Sequence, residues 1–465
     1  MPAEFEASND VSVAEEDMCQ WWKQFNDPVL DGLISEALQA NYDLALAIEK
    51  IEQARAQYRI EKSHLWPEID FNASASRSRI SQNLFPHPST PAPAGVSGTG
   101  GGSGFFPVFL DVFQVGFDAI WELDFFGKFR RSKRAAQYSW EAMKEDAESV
   151  MISMVSEVAV NYVAIRALQQ KIDLIQKKLE ADEKELAITN ALFQIGLDNE
   201  IQITTLISSI ETDRAALPVL ETSFKQTVYA LAYLLGRQPE GLIETFQEIL
   251  PIPSGIDKVP IGLPSDLLRR RPDIRSAERQ LAAANEQIGA AVADLFPHIA
   301  LTGISLGAGN RGGSSVGYES AELGKLFKWP SRMFSLGGSL YWDIFDFGRV
   351  RGNIAVQNSL QKQALLTYEQ AVIASLQDVE GALVAYFEEQ KRLASFAEKV
   401  EADRRTFEIT EGLFQIGLAN EIQVLEAQKT LFVSKSSLVE SQQALAGDLI
   451  ALYKAIGGNW NCTFD

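Results

Sequence analysis

The sequence predicts a mainly α-helical protein with a β-barrel part, built from two copies of one helix, strand, strand and long helical hairpin unit. Three observations carry that reading. FQIGLDNEIQ (193–202) returns as FQIGLANEIQ (414–423), 221 residues on, and WELDFFGKFR (121–130) returns as WDIFDFGRVR (342–351) at the same spacing. From 128 to 193 there is no proline, and apolar residues recur every three or four positions. Residues 109–122 alternate with the period of a strand.

Each half opens on a helix. The first covers 28–64, started by Asp27-Pro28 and closed before Trp66-Pro67, because proline restricts the residue before it. Its counterpart covers 272–295 and ends before Pro297. LWPEI (65–69) and LFPHI (295–299) match at a spacing of 230, which places a nine-residue length difference in the loop that follows.

Strands are expected at about 67–80, 109–122, 297–308 and 333–344. In 109–122 one face carries Phe109, Phe113, Val115, Phe117, Ala119 and Trp121; the other carries Val112, Gln114, Gly116, Asp118, Ile120 and Glu122. In 334–343, Phe334, Leu336, Gly338, Leu340 and Trp342 oppose Ser335, Gly337, Ser339, Tyr341 and Asp343. A strand of about 14 residues spans about 46 Å, more than a tilted barrel wall needs. The Gly/Pro/Ser-rich segments 81–107 and about 309–332 suit solvent-exposed hairpin tips, and long loops on one side are the pattern of an outer-membrane barrel.

The remainder is helix. Met151, Val155, Val158, Tyr162, Ile165, Leu168, Ile172, Ile175, Leu179, Leu186 and Phe193 form a coiled-coil seam, and 350–415 repeats the design. About 60–65 helical residues span about 90–100 Å, too long for one globular core. Gly196 and Gly417 break these helices, and Asn199 and Asn420 cap the returning helices 199–235 and 420–456. Pro218 is expected to kink the first returning helix. The chain therefore divides into an N-terminal segment 1–27, a first repeat 28–236 with its hairpin at about 128–236, a linker 237–265, a second repeat 266–457 with its hairpin at about 350–457, and a tail 458–465.

Composition narrows the function classes. A net charge of −20 argues against a nucleic-acid partner. No run of 18 or more apolar residues marks a membrane-spanning helix, a test that a barrel strand escapes. The acidic start MPAEFEASNDVSVAEED lacks an apolar leader, and the expectation is that a leader was removed or lies outside this sequence. Cys19 and Cys462 make neither a disulfide framework nor a zinc site, and pair only if the two ends of the chain meet. His64, His87 and His298 are scattered, Gly98–Gly104 lacks the strand and helix of a nucleotide fingerprint, and no catalytic motif is present. Neither catalysis nor a cofactor is expected.

WELDFFGKFR, GLPSDLLRRRPDIRSAE (262–278) and the two FQIGL turns resemble the TolC-like outer-membrane factors that serve resistance-nodulation-division (RND) drug pumps, in order across about 20–460. That resemblance implies a homotrimer whose protomers each give four strands to a twelve-stranded barrel in outer-membrane lipid, standing on a periplasmic α-helical tunnel. It implies an equatorial belt from the termini and the 237–262 linker. It implies as partners a periplasmic adaptor (membrane fusion) protein and an inner-membrane RND-type transporter, with the chain as the passive exit duct of a tripartite efflux pump. Many members carry a lipid on an N-terminal cysteine well upstream of the motif matched here by Trp21-Trp22, and this sequence has no such cysteine.

By position, the resemblance places a pore constriction at Ile422 and Glu426, matched in the first half by Ile201 and Thr205. Only the second half keeps an acid there. Against this stands the plainer view that the isoleucines pack and Glu426 is a solvated helix charge. The tip turns, Gly196 with Asn199 and Gly417 with Asn420, are the expected adaptor contacts. Arg269-Arg270-Arg271 reads as a structural ion-pair or capping element. Two rivals remain at this stage: a protein-secretion outlet of the same architecture, and a cytoplasmic coiled-coil scaffold, which would have no use for strands with an apolar face.

Overall fold

The structure is a computed structural model that describes residues 18–79, 109–196, 199–253, 270–302 and 314–458. The expected tip loop 81–107 with its glycine run and His87, the outer part of the third strand (303–308), residues 254–265 of the linker, most of the GLPSDLLRR string and Cys462 lie outside the described residues.

The chain forms two compact units. A helical unit takes Met1–Ala54, Ser139–Leu281 and Gln363–Asp465; a sheet unit takes Arg55–Tyr138 and Ala282–Lys362. Each unit draws on both sequence halves, so the compact units and the repeats cut the chain differently.

The helices are α1 (Pro28–Ala40), α2 (Tyr42–Ser63), α3 (Lys128–Gln194), α4 (Glu200–Leu234), α5 (Pro272–Ala293), α6 (Arg349–Gln415) and α7 (Glu421–Ile456). Asp27 starts α1 by accepting from the Val29 and Leu30 amides at 2.9 and 3.3 Å. The single helix expected over 28–64 is broken at Asn41, which takes an extended ψ of 128°. Its side chain accepts from the Leu44 amide (2.9 Å) and donates to the Leu234 carbonyl (2.8 Å), capping α2 and tying it to the end of α4. An asparagine that can bond nearby backbone competes with helix continuation. Pro218 does not end α4, which runs on past it to Leu234.

The core of the helical unit begins with a short 3-10 segment, Met18–Phe25, that buries Trp21, Trp22 and Phe25. Trp21 stacks on Tyr453 of α7 with ring centroids 5.3 Å apart. Around them lie Leu30 and Ile34 of α1, Met151 to Val163 of α3, Val228 to Leu235 of α4, Leu242 and Phe246 of the linker, and Leu449 to Ile456 of α7. Each fully buried large apolar side chain contributes about 1.5–3 kcal/mol. By length and composition α3 holds one stretch apolar enough to cross a bilayer, but 67% of it is buried inside the protein, as in a core helix.

A polar chain crosses this core. The Tyr162 hydroxyl donates to Asp27 (2.5 Å) and accepts from Arg166 Nε (3.1 Å). Arg166 also donates to Gln169 (2.9 Å) and to the Glu248 carbonyl (2.8 Å). Burial, reinforced by Asp27, pushes the Tyr162 hydroxyl upward, so it stays protonated and can donate. A buried guanidinium is tolerated because acceptors meet its N–H groups. The outcome is that the N-terminal segment, α3 and the linker are locked together.

In the sheet unit, β1 (Glu68–Arg79) pairs antiparallel with β2 (Phe109–Leu123) along its whole length. The other edge of β2 is shared by β3 (His298–Thr302) and β4 (Ser314–Ser320). Their register is continuous: Trp121 opposes Leu301, and Ala119 opposes Ser314. Thus β3 and β4 are one lane interrupted by residues 303–313. The next lane is β5 (Arg332–Ser335) against β4, then β6 (Gly337–Tyr341) against β3. Four antiparallel lanes result among the described residues.

Two expectations are corrected here. The segment 309–332 is not all loop, because SSVGYES folds as β4; its Gly/Ser content masked the alternation of Val316 and Tyr318 with small and polar residues. The strand expected at 333–344 breaks at Leu336 and stops at Tyr341. The duplication survives in three dimensions: the Trp121 indole donates to the Leu65 carbonyl (3.2 Å), and Trp342 donates to Leu295 (3.0 Å).

Candidate functional site

The ends of the long helices are built by local chemistry. Gly196 and Gly417 take φ of +77° and +75°, a region that penalises any Cβ, and each amide donates back to the phenylalanine three residues earlier at 2.9 Å. Asn199 caps α4 by accepting from the Gln202 amide (3.1 Å). Asn420 caps α7 through a full capping box with Gln423, at 2.9 and 3.2 Å. Asn199 and Asn420 therefore fix where the returning helices begin.

One turn into α7, Ile422 and Glu426 stand on the same helix face, both exposed. Among the described residues the Glu426 carboxylate makes no hydrogen bond or ion pair. On α4, Ile201 is 70% exposed and Thr205 is exposed, its hydroxyl spent on the Ile201 carbonyl (2.7 Å). None of these four side chains is buried within the chain.

What does join the hairpins was missed from sequence. Glu421, the first residue of α7, is 7% exposed and accepts a hydrogen bond from Thr189 of α3. Burial pushes the nearby Glu185 carboxyl up to about 7, with Glu421, Asp182 and Glu411 adding to the rise. Gln428 of α7 donates to Asp182 of α3 at 3.3 Å.

Further along, Lys178 pairs with Asp182 (3.6 Å) and with Asp213 of α4. At the duplicated positions Lys399 pairs with Asp403 (3.1 Å) and donates to Ser434 of α7, which donates to Asp403. Each hairpin therefore carries a lysine-centred clamp at the duplicated place between its two helices, with an acid on α4 and a serine on α7. Burial holds Asp182 above the usual carboxylate range, while the Ser434 hydrogen bond, then Lys399, holds Asp403 below it. A signal existed: KLEAD (178–182) recurs as KVEAD (399–403) at the 221-residue spacing.

Arg271, the last of the arginine run, reaches the Ala455 carbonyl at the end of α7 (3.1 Å), Asp378 of α6 (3.0 Å) and Asp273 (2.7 Å). It is a capping and ion-pair residue.

In the sheet unit the register sorts side chains by face. Phe71, Phe117, Val316 and Phe334 oppose one another in a row across all four lanes, each more than half exposed. Phe71 and Phe117 meet edge to face at 5.4 Å. Ile69, Leu301 and Leu340 continue this apolar face. The other face carries Glu68, Asp70, Asn72, Ser74, Asp118, Glu122 and Glu319. Among the described residues, β1 pairs only with β2, and β5 and β6 only with β4 and β3, which leaves two open edges. An exposed apolar sheet face backed by a polar one is the two-sided pattern of a membrane barrel wall.

Residues 33–237 and 263–458 match the model of the outer membrane efflux protein family. The chain belongs to that family. It is 31% identical over 438 residues to the solvent efflux pump outer membrane protein SrpC of Pseudomonas putida, covering 94% of this chain and 87% of the relative. It is 30% identical over 447 residues to the pyoverdine export outer membrane protein OpmQ of Pseudomonas aeruginosa, covering 96% and 88%. Among solved structures it is similar to the outer-membrane channel OprN, with a TM-score of 0.86, 27% identity and coverage of 98% of this chain and 96% of that one. This outer membrane efflux protein has the TolC-like fold, resides in the outer membrane with its helices extending into the periplasm, and is an exit duct rather than an enzyme. In that setting the Phe71 to Phe334 row meets lipid, and the Asp70 and Asp118 face meets water.

Proposed function

We propose that three copies of this chain close a twelve-stranded barrel and a helical tunnel, and that the tube passively passes small molecules handed over by an inner-membrane RND-type transporter through a periplasmic adaptor. The open edges support the trimer. Four lanes cannot close on themselves, and lipid does not tolerate unpaired strand edges. The relatives are named for solvents and for pyoverdine, chemically unlike cargoes, which suits a wet duct that leaves selection to its pump. Co-purification of an adaptor and a transporter with the tagged chain tests the assembly.

The gate is assigned to Ile422 and Glu426, with Ile201 and Thr205 as their first-half counterparts. One observation carries it: an exposed apolar residue and an unpartnered carboxylate share one face of a helix whose start is fixed by a capping box. Three copies would set an apolar ring and an acidic ring around one axis, and like charges held together repel and recruit cations. The tip glycines Gly196 and Gly417 have open space where a Cβ would stand and leave backbone available to an adaptor. Glu426→Ala is expected to raise ion leak through the closed channel in planar bilayers. Unchanged conductance would remove the gate assignment.

A further inference from the structure

The charges of the sheet unit are separated by sign between its two faces. In the strands, the polar face carries Glu68, Asp70, Asp118, Glu122 and Glu319 and no lysine or arginine. The apolar face carries Arg77, Arg79 and Arg332, with Asp111 as its acid. All three arginines lie towards the hairpin tips, away from the end where α2, α3, α5 and α6 join the strands.

Each arginine sits among aromatic rings. Arg77 and Arg79 lie 5.2 and 5.9 Å from the Phe109 ring, and Arg332 stacks on Trp329. The hairpin between β4 and β5 folds towards the same face, because Phe327 contacts Tyr318 at 5.7 Å and Tyr318 opposes Arg332. That hairpin adds Lys325 and Lys328, and exposes Leu323, Phe327 and Trp329 by 65%, 72% and 75%. Among the described residues, two carboxylates answer these cations: Asp111 lies 3.4 Å from Arg77, and Glu322 lies 2.6 Å from Lys325.

A chain with net charge −20 has thus placed cations beside exposed aromatics on its lipid face, at the outer rim. Aromatic rings favour the boundary between hydrocarbon and headgroups, and a guanidinium at that depth meets phosphate rather than bulk water. We propose that Arg77, Arg79, Arg332, Lys325 and Lys328 bind the phosphate groups of an anionic lipid headgroup in the outer leaflet. The aromatic side chains set the depth and the cations read the charge. Pairing of the open strand edges with neighbours leaves this face uncovered, since edge pairing does not turn side chains from one face to the other.

The test uses the detergent-solubilised full-length channel and three probes: diphosphoryl lipid A, the same lipid with its phosphates removed, and inorganic pyrophosphate. The wild-type channel is expected to bind diphosphoryl lipid A, seen as bound adducts in native mass spectrometry, and to bind the other two at least about tenfold more weakly, in line with the strength of cations at an anionic surface. R77Q/R79Q/R332Q should lose about tenfold or more, whereas R77K/R79K/R332K should retain binding, which controls for folding. Equal binding of the dephosphorylated lipid would overturn the proposal, as would binding of pyrophosphate as tight as that of lipid A. Undiminished lipid A binding by the glutamine variant would do the same.

Discussion

Thr189 of α3 donates its hydroxyl to the buried carboxylate of Glu421, the first residue of α7, so the beginning of the last helix is held by the first hairpin. Glu185 lies one turn earlier on α3 and is driven up to about 7 from its ordinary 4.5, by burial first and by Glu421 next. The folded tip prefers a neutral Glu185. The stability from that neutral group is complete below about pH 4.5 and is lost as pH rises through about 7. The tip is therefore tightest in acid and loosens towards neutral pH. Spin labels at the exposed residues Ile188 and Leu418 should give a narrow distance distribution near about pH 5 and a broader one near about pH 8, and Glu185→Gln should keep it narrow at both. A distribution indifferent to pH in the wild type would refute this.

The duplicated clamps are not equivalent. Lys178 neutralises two carboxylates, Asp182 and Asp213, at a buried position, whereas Lys399 faces Asp403 and the neutral Ser434 with its side chain 48% exposed. Lys178→Met leaves two acids confronting each other and should cost about 3–5 kcal/mol. Lys399→Met should cost under about 1 kcal/mol. Thermal unfolding of the two variants in detergent decides it, and equal losses would show that burial does not rank the clamps.

Asp70 and Asp118 oppose each other directly across β1 and β2 on the water-facing side. Like charges in that position destabilise a sheet. Their presence indicates a lumen held negative, which should favour cations. The double change Asp70→Asn with Asp118→Asn should lower the cation preference measured as reversal potential under a salt gradient, while melting at an equal or higher temperature. An unaltered reversal potential would place the selectivity elsewhere.

Gly116 and Gly317 also face each other across β2 and β4. A Cβ on Gly116 would lie 2.9 Å from the Val316 carbonyl oxygen, and one on Gly317 would run into the Val115 carbonyl and the Gly116 Cα. Neither obstacle is a movable side chain. Gly317→Ala should reduce the yield of heat-resistant, membrane-inserted channel. Gly324→Ala, in the nearby hairpin with open space around it, should not.

Much of this could be read from the chain. The 221-residue spacing, the caps at Asn199 and Asn420 and the faces of 109–122 were legible because each rests on near neighbours in sequence. The break at Asn41 was not, since its partner is the Leu234 carbonyl, 193 residues away. SSVGYES was hidden by its small residues, which suit a strand only when a lane such as β2 lies beside it. Ile422 and Glu426 were placed only by the family resemblance, and the Glu185, Thr189 and Glu421 cluster needed α3 and α7 in the same place. The KLEAD and KVEAD match stood in plain sight, and its meaning depended on Asp213 and Ser434 across the hairpins.

The stacking of Trp21 on Tyr453 constrains how such a chain can be made. The aromatic pair closes the helical core with residues from the segment before α1 and from α7, so Leu30 and Ile34 have no complete shelter until α7 has emerged. Maturation of that unit has to follow export of the chain through α7. In the interval the early helices travel with greasy surface uncovered, and holding them apart falls to whatever escorts unfolded chains across the periplasm.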